Sequence, residues 1–146
     1  MELHTFEYSY GLTKEYAERS DREALLWSVL KWLNLSTVDE NRLRVEWHTI
    51  CGLCWRHAGY ISLYSCVECP LTLTGNRCLL SSAPWPKAQD AFTAWDHSQS
   101  SEKEFKAFRK EARSFTMILA RIYNDTYPDK KIRIDFGGMK ITGERL

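Results

Sequence analysis

The chain has 146 residues, of which 44% are apolar and 27% charged, and this composition excludes an intrinsically disordered protein. Its length is that of one ordinary domain, so residues 1–146 are expected to form a single domain. The net charge of +1 argues against a strongly basic nucleic-acid binder and against an acidic mimic of DNA. No apolar run reaches about 18 residues and no secretory leader is visible, so we expect a cytoplasmic protein that does not enter a membrane.

The N-terminal part of the chain is predicted to form a strand followed by a buried helix. Residues 4–10 alternate between aromatic and other side chains, which predicts a strand that Gly11 ends. Ser20 and Glu23 form a capping box, which predicts a helix that begins near Asp21. Leucine, valine and tryptophan then recur at helical spacing, so this helix is expected to be largely buried.

Three weaker signals follow in chain order. Residues 34–41 are polar and are expected to break the helix. The alternation of residues 44–50 predicts a short strand that leads into a cysteine-rich region, residues 50–86, which is expected to be mostly loop. Beyond it, residues 87–95 have the pattern of a short helix.

The longest helix is predicted near the C-terminus. Ser101 and Glu104 form a second capping box, and apolar side chains then recur at spacings of three and four. Tyr127 is followed by Pro128, and the helix should end there because a residue before proline avoids the helical region.

The tail, residues 131–145, is predicted to be a β-hairpin. Two alternating runs flank Gly137-Gly138, and the N-terminal strand is expected to pair with them, since a two-stranded hairpin alone is marginal. Ile132, Ile134 and Phe136 should face the core. The expected fold class is therefore α+β: a core of two main helices, pinned loops in the cysteine region, and a small antiparallel sheet built from the termini.

All five cysteines fall in the cysteine-rich region, and they predict a metal site. Two Cys-x-x-Cys pairs are separated by eleven residues, and a fifth cysteine follows. A Cys-x-x-Cys turn holds two thiolates about as far apart as two corners of a zinc tetrahedron, so two such turns predict a structural zinc site. The first choice of ligands is Cys51, Cys54, Cys66 and Cys69. Zinc takes four ligands, so Cys78 competes for a place, and His57 is a sixth candidate.

Other readings of the cysteines stay open. An iron–sulfur cluster also takes four cysteines, and Cys69 is followed by proline as in many cluster motifs. A redox-active dithiol or unliganded buried thiols are further alternatives. The sequence contains no phosphate-binding loop, nucleophile elbow or His-Glu-x-x-His motif, and an all-cysteine ligand set favours a closed structural site. We therefore expect that the protein is not an enzyme.

The order of these elements resembles a widespread group of small phage and prophage proteins. The features of that group are, in order, a helix with a tryptophan, C-x-L-C, C-x-x-C-P-[LV], a glycine, a fifth cysteine, a proline followed by an aromatic residue, and a C-terminal helix. The matching positions before that last helix are, in this chain, Trp32, residues 51–54, residues 66–71, Thr74-Gly75, Cys78 and Pro84-Trp85. The resemblance covers residues 25–123. It implies a viral protein that binds metal, expressed in the cytoplasm of a host cell. The segments outside the shared core look like additions.

Two kinds of partner surface are predicted. Trp55 and Trp85 flank the cysteines, and exposed aromatic side chains are frequent in protein interfaces. Cations of the long helix and the tail are candidates for phosphate contact, although interspersed glutamates favour a solvated face. These cations are Lys106, Arg109, Lys110, Arg113 and Arg133.

Two functions are consistent with these features. The first is a zinc-stabilised module that binds a host protein and inhibits or modulates a defence or nucleic-acid-processing system. Near-neutral charge and the resemblance favour it. The second is a zinc-ribbon-like nucleic-acid-binding module that uses the basic helix, residues 101–127, and the tail.

Overall fold

The computed structural model describes residues 4–48, 51–58, 69–78, 80–99 and 101–144. The helices in these ranges are α1 (Tyr10–Arg19), α2 (Asp21–Thr37), α3 (Glu40–Trp47), α4 (Pro70–Leu73), α5 (Pro84–His97) and α6 (Glu102–Thr126). A π-helical turn covers Cys54–Ala58 and a 3₁₀ turn covers Pro128–Lys130. The strands are β1 (His4–Phe6), β2 (Arg133–Asp135) and β3 (Lys140–Gly143). The predicted α+β class with a helical core is confirmed.

Helix α2 lies at the centre of the molecule. Twelve of its 17 residues are buried. It begins where the sequence predicts: the Glu23 N–H donates to Ser20 Oγ (3.1 Å), and the Ser20 hydroxyl donates to the Glu23 carboxylate (2.9 Å). A helix that is apolar on nearly every face must be covered by several other elements. Helix α2 is therefore the surface on which the rest of the chain packs.

Helix α6 covers one side of α2, and α5 packs along α6. The ring of Trp32 on α2 stacks on Phe115 of α6 with 4.2 Å between centroids. Trp47 extends this aromatic contact, since it stacks on Phe92 of α5 at 4.6 Å and meets Phe108 of α6 edge to face at 5.8 Å. The predicted packing of the two main helices on each other is confirmed.

The three strands form one antiparallel sheet in the order β1-β3-β2. The predicted hairpin and its pairing with the N-terminal strand are confirmed, with Phe6 and Ile134 both opposite Ile141. The side chain of Ile141 is fully buried and Ile132 is 7% exposed, whereas Arg133 points to solvent. The hairpin is therefore part of the core.

Side chains of α6 hold the hairpin in place. The Ile132 N–H donates to Asn124 Oδ1 (2.8 Å), and Asn124 Nδ2 donates to the Ile132 carbonyl (3.2 Å). The Arg113 guanidinium lies over the ring of Phe136, 4.2 Å from its centroid. These contacts join the tail to the long helix.

Two predictions for the N-terminal half are wrong. Gly11 does not end a strand, because it lies in the first turn of α1. Residues 44–50 are not a strand where the structure describes them, because Glu40–Trp47 is helical. Leu43 and Trp47 are four residues apart and both contact the core, while Val45 is 73% exposed. The alternation of residue types in this segment does not match its burial, which recurs with the period of a helix.

The helix ends also differ from the predictions in detail. The polar break in residues 34–41 is shorter, since α2 continues through buried Leu35 to Thr37. The helix predicted at residues 87–95 begins earlier, at Pro84, which fits a first helical turn because proline needs no N–H partner there. Helix α6 starts as predicted after Ser101, but the Ser101 side chain forms no capping hydrogen bond, so the second capping box is wrong.

The cysteine region contains more helix than predicted. It includes the π-helical turn Cys54–Ala58, helix α4 and the start of α5. None of the helices in the described residues is both long enough and apolar enough to cross a membrane.

The packing of α6 on α2 predicts that Leu119→Ala destabilises the protein by about 2–5 kcal/mol, because Leu119 is fully buried and its loss leaves a cavity. Met117 lies on the same helix and is 51% exposed, so Met117→Ala should change stability by no more than about 0.5 kcal/mol. Urea denaturation followed by circular dichroism measures both free energies of unfolding. Similar values for the two variants would contradict this packing.

Candidate thiolate metal centre

The first Cys-x-x-Cys turn lies directly on α2. A Cβ atom added to Gly52 would be 2.6 Å from the Ala24 carbonyl oxygen and 3.3 Å from the Trp27 Cβ, so no side chain fits at this position. The next residue, Leu53, is 2% exposed and belongs to the core. The glycine is therefore needed for close approach of two backbones rather than for an unusual turn.

Ser28 of α2 makes three hydrogen bonds, two of which join the turn to the helix. Its hydroxyl donates to the Ala24 carbonyl (3.0 Å) and accepts from the Leu53 N–H (2.8 Å). The Cys51 thiol lies 2.8 Å from the same oxygen, Sγ to Oγ. Ser28 is fully buried, so these bonds are shielded from water and fix the position of the Cys51 sulfur.

The side chains of Cys51 and Cys54 are hydrogen-bonded to each other. The pKa of Cys51 is lowered, chiefly because the Cys54 side chain hydrogen-bonds to it, and also because the Lys31 ammonium attracts the thiolate. The pKa of Cys54 is raised, first because its thiol donates to Cys51 and then because the nearby sulfur charges disfavour a second thiolate. The pair therefore favours one thiolate over two.

Lys31 is the residue of this site that sequence reasoning missed. It lies one turn after Ser28 on α2, is 5% exposed, and interacts electrostatically with Cys51, Cys54 and Cys78. Burial lowers the pKa of Lys31, and the three cysteine charges oppose this effect. The signal in the sequence was a single lysine inside an otherwise apolar helical run.

Helix α4 carries the chain from the second cysteine pair to Cys78. Cys69 is buried at its N-terminal cap and Leu71 packs in the core. The helix ends in a Schellman motif: the Asn76 N–H donates to the Leu71 carbonyl (2.7 Å), and Gly75 has φ of +79°. This turn brings half-buried Cys78 close enough to Cys54 for their charges to interact.

Arg56 anchors the segment that follows Cys54. Its guanidinium donates to the carbonyl oxygens of Ala17 (3.2 Å) and Glu18 (3.1 Å), at the end of α1, and pairs with the Asp21 carboxylate at the start of α2. His57, the sixth ligand candidate, lies half-buried in the same π-helical turn. The cysteine region is therefore attached to α1 as well as to α2.

The donor set of the described residues fits a thiophilic cation in part. The sulfurs of Cys51 and Cys54 are hydrogen-bonded to each other, and the charge of Cys78 acts on Cys54. Within the described ranges, no three His, Cys, Asp or Glu side chains are close enough together to form a metal site. Cys66, one of the four first-choice ligands, lies outside these ranges.

Most of the cations proposed for phosphate contact have intramolecular partners. Arg109 donates to the carbonyl oxygens of Val38 (2.8 Å) and Thr37 (3.3 Å), which end α2. Lys106 pairs with Glu102 at 3.1 Å, and Arg113 covers a ring of the hairpin. The structure places Lys110 and Arg133 in solvent.

Of the two tryptophans predicted to contact a partner, Trp85 is half-buried and packs against the core. The side chain of Trp55 lies outside the described residues.

Comparison of the chain with models of protein families, with curated proteins and with solved structures finds no match.

The close approach of the first turn to α2 predicts that Gly52→Ala costs about 1–3 kcal/mol of folding stability, because the new methyl group must displace the Ala24 backbone. Gly11→Ala is the matched control: nothing lies within 4 Å of its added Cβ, and alanine favours the α1 helix, so stability should be unchanged or rise by up to about 1 kcal/mol. Thermal unfolding of both variants under reducing conditions provides the measurement. A Gly52→Ala protein as stable as the wild type would refute the docking of this turn.

Proposed function

We propose that this chain is a small viral-type protein whose cysteine region is stabilised by a structural zinc ion, and that it acts by binding a protein of the host cell. The observation that most supports the metal is the first cysteine turn, which Gly52 and Ser28 fix on α2 with the Cys54 side chain hydrogen-bonded to Cys51. Two sulfurs in such contact repel each other as thiolates. A divalent cation removes that repulsion and makes their common deprotonation favourable.

In this proposal zinc is held by four thiolates, with Cys51, Cys54, Cys66 and Cys69 as the first choice and Cys78 as the competing ligand. A closed thiolate site contributes folding free energy rather than catalysis. The segments that it would order are those between α3 and α5. Among the described residues of that region, Leu53, Cys69 and Leu71 belong to the core, and half-buried Cys51 and Cys78 pack against it. An iron–sulfur cluster is the alternative occupant.

The engaged cations support a protein partner over a nucleic acid. Arg109 and Arg113 are used to join elements of the fold, and Lys106 is paired within its own helix. Phosphate binding draws its affinity from cations that are free to replace counterions, and fewer are free here than the sequence suggests. A host target in defence or nucleic-acid processing follows from the resemblance to phage proteins and is part of the proposal on that ground alone.

Elemental analysis of protein purified without chelator tests the metal. We expect one zinc per chain, lost in Cys51→Ser, with Ser81→Ala in an exposed loop as a control that retains it. Cys78→Ser distinguishes the ligand sets: retained zinc supports the first-choice ligands, and lost zinc places Cys78 in the shell. Iron with a visible absorption band would replace zinc by a cluster. Absence of any metal would refute the proposed centre.

Fluorescence anisotropy with labelled single- and double-stranded oligonucleotides tests the choice of partner. We expect no binding at physiological salt and little gain at low salt, and no difference between the wild type and a Lys110→Glu, Arg133→Glu variant. Tight binding that falls steeply with salt and is lost in this variant would favour the nucleic-acid module instead. Affinity capture from nuclease-treated host lysate then identifies the protein partner, and the same lysate without nuclease is the control.

A further inference from the structure

The solvent-facing side of α6 carries a row of cations that the fold uses only in part. Exposed side chains of this helix recur at spacings of three and four residues, so they lie in one line along it. The line is about 27 Å long, at about 1.5 Å per residue. We call it the α6 row; its members are Lys103, Lys106, Lys110, Arg113, Met117 and Arg121.

The carboxylates that alternate with these cations in the sequence lie off the α6 row. At about 100° per residue, Glu104 and Glu111 are about 120–140° around the helix from Met117. Both glutamates are half-buried. Glu102 pairs with Lys106 at the start of the helix, but the two side chains are 81% and 73% exposed, and such a pair contributes little. The α6 row therefore keeps most of its positive charge.

Three cations of the α6 row form no ion pair with the described part of the chain. They are Lys103, Lys110 and Arg121. Arg113 differs from them, because its guanidinium is held over the ring of Phe136. The unpaired cations lie on both sides of Met117, so an anionic partner must run along the helix to reach them all.

A groove interrupts the charge of the α6 row beside Met117. The side chain of Met117 is 51% exposed, and the neighbouring Ala120 is too short to fill the space next to it. The groove has a volume of about 370 Å³. It is lined by Met117, Ile118, Ala120, Arg121, Asn124 and Asp125. An exposed methionine adapts its shape to an apolar partner, so this part of the surface suits an apolar side chain.

We propose that the α6 row is the surface that binds the host protein, and that its occupant is an acidic segment of that protein. This inference rests on the proposed function, because it requires a protein partner. Carboxylates along the segment complement Lys103, Lys110 and Arg121, and an apolar side chain between them enters the groove at Met117. The phosphates of a nucleic acid would complement the cations alone and leave the groove unfilled.

Fluorescence anisotropy with two labelled synthetic peptides tests this surface. One peptide consists of glutamate and leucine, and in the other serine replaces each leucine. We expect the wild type to bind the leucine peptide more tightly. Lys110→Glu should weaken that binding by about 3- to 10-fold at low salt and by less at high salt. Met117→Gln should weaken it by about fivefold at either salt concentration, because the lost contact is apolar.

Matched variants at other exposed positions are the controls. Lys87→Glu on α5 makes the same change of charge, and Met139→Gln in the hairpin makes the same change of side chain. Both should bind the leucine peptide as the wild type does, and thermal unfolding of all four variants should match the wild type. A wild type that binds neither peptide would overturn the proposal, and so would an equal loss in Lys87→Glu and Lys110→Glu.

Two further outcomes identify a different partner or a different surface. Tighter binding of a duplex oligonucleotide than of the leucine peptide at the same salt, lost in Lys110→Glu, would make the α6 row a nucleic-acid site and overturn the proposal. Affinity capture from nuclease-treated host lysate then compares the wild type with a Lys110→Glu, Met117→Gln variant. Capture of the same protein by both leaves the proposed function in place and overturns the α6 row as its site. A wild type that captures no host protein overturns the proposed function, and this inference with it.

Discussion

The packing of helix α2 on all sides is the constraint on which the rest of the structure depends. One side of the helix accepts the aromatic stack of Trp32 on Phe115 from α6. Elsewhere on the same helix, Gly52 allows the first cysteine turn to contact the Ala24 backbone. Helix α2 therefore supports both the hydrophobic core and the candidate metal centre. A change in the packing of α2 should affect both, because close-packed interiors transmit strain.

The described cysteine segments are held in place although few apolar side chains accompany them. A different contact positions each described cysteine segment. Ser28 bonds Cys51, and Arg56 bonds the end of α1 and so holds the turn after Cys54. The Schellman motif at Gly75 directs the chain toward Cys78. Hydrogen bonds and the left-handed conformation of Gly75 thus position these segments, whereas apolar burial positions the helices of the core. The result in the described residues is a pair of cysteine side chains, Cys51 and Cys54, that hydrogen-bond to each other on the surface of α2.

The cations of α6 differ in role although the sequence pattern treats them alike. From the sequence, they are candidates for phosphate contact, and interspersed glutamates favour a solvated face. In the structure, Arg109 terminates α2 by bonding the carbonyl oxygens of Thr37 and Val38, and Arg113 covers Phe136 of the hairpin. Both arginines lie where helix α6 meets another element, so their long apolar stems and planar heads contribute to packing as well as to charge. Only the tertiary structure distinguishes such residues from free ones.

What the sequence by itself determined was local. The Ser20 capping box, the stop at Pro128 and the hairpin around Gly137-Gly138 depend on a few neighbouring residues, and all were predicted correctly. The strand predicted at residues 44–50 failed because alternation over a few residues also fits a helix, and the core contacts of Trp47 decided between them. The roles of Ser28 and Arg56 were decided only by the tertiary structure, since each bonds a partner more than twenty residues away. No local pattern encodes such a pairing, because it exists only once α2 is buried and the cysteine turns have docked on it.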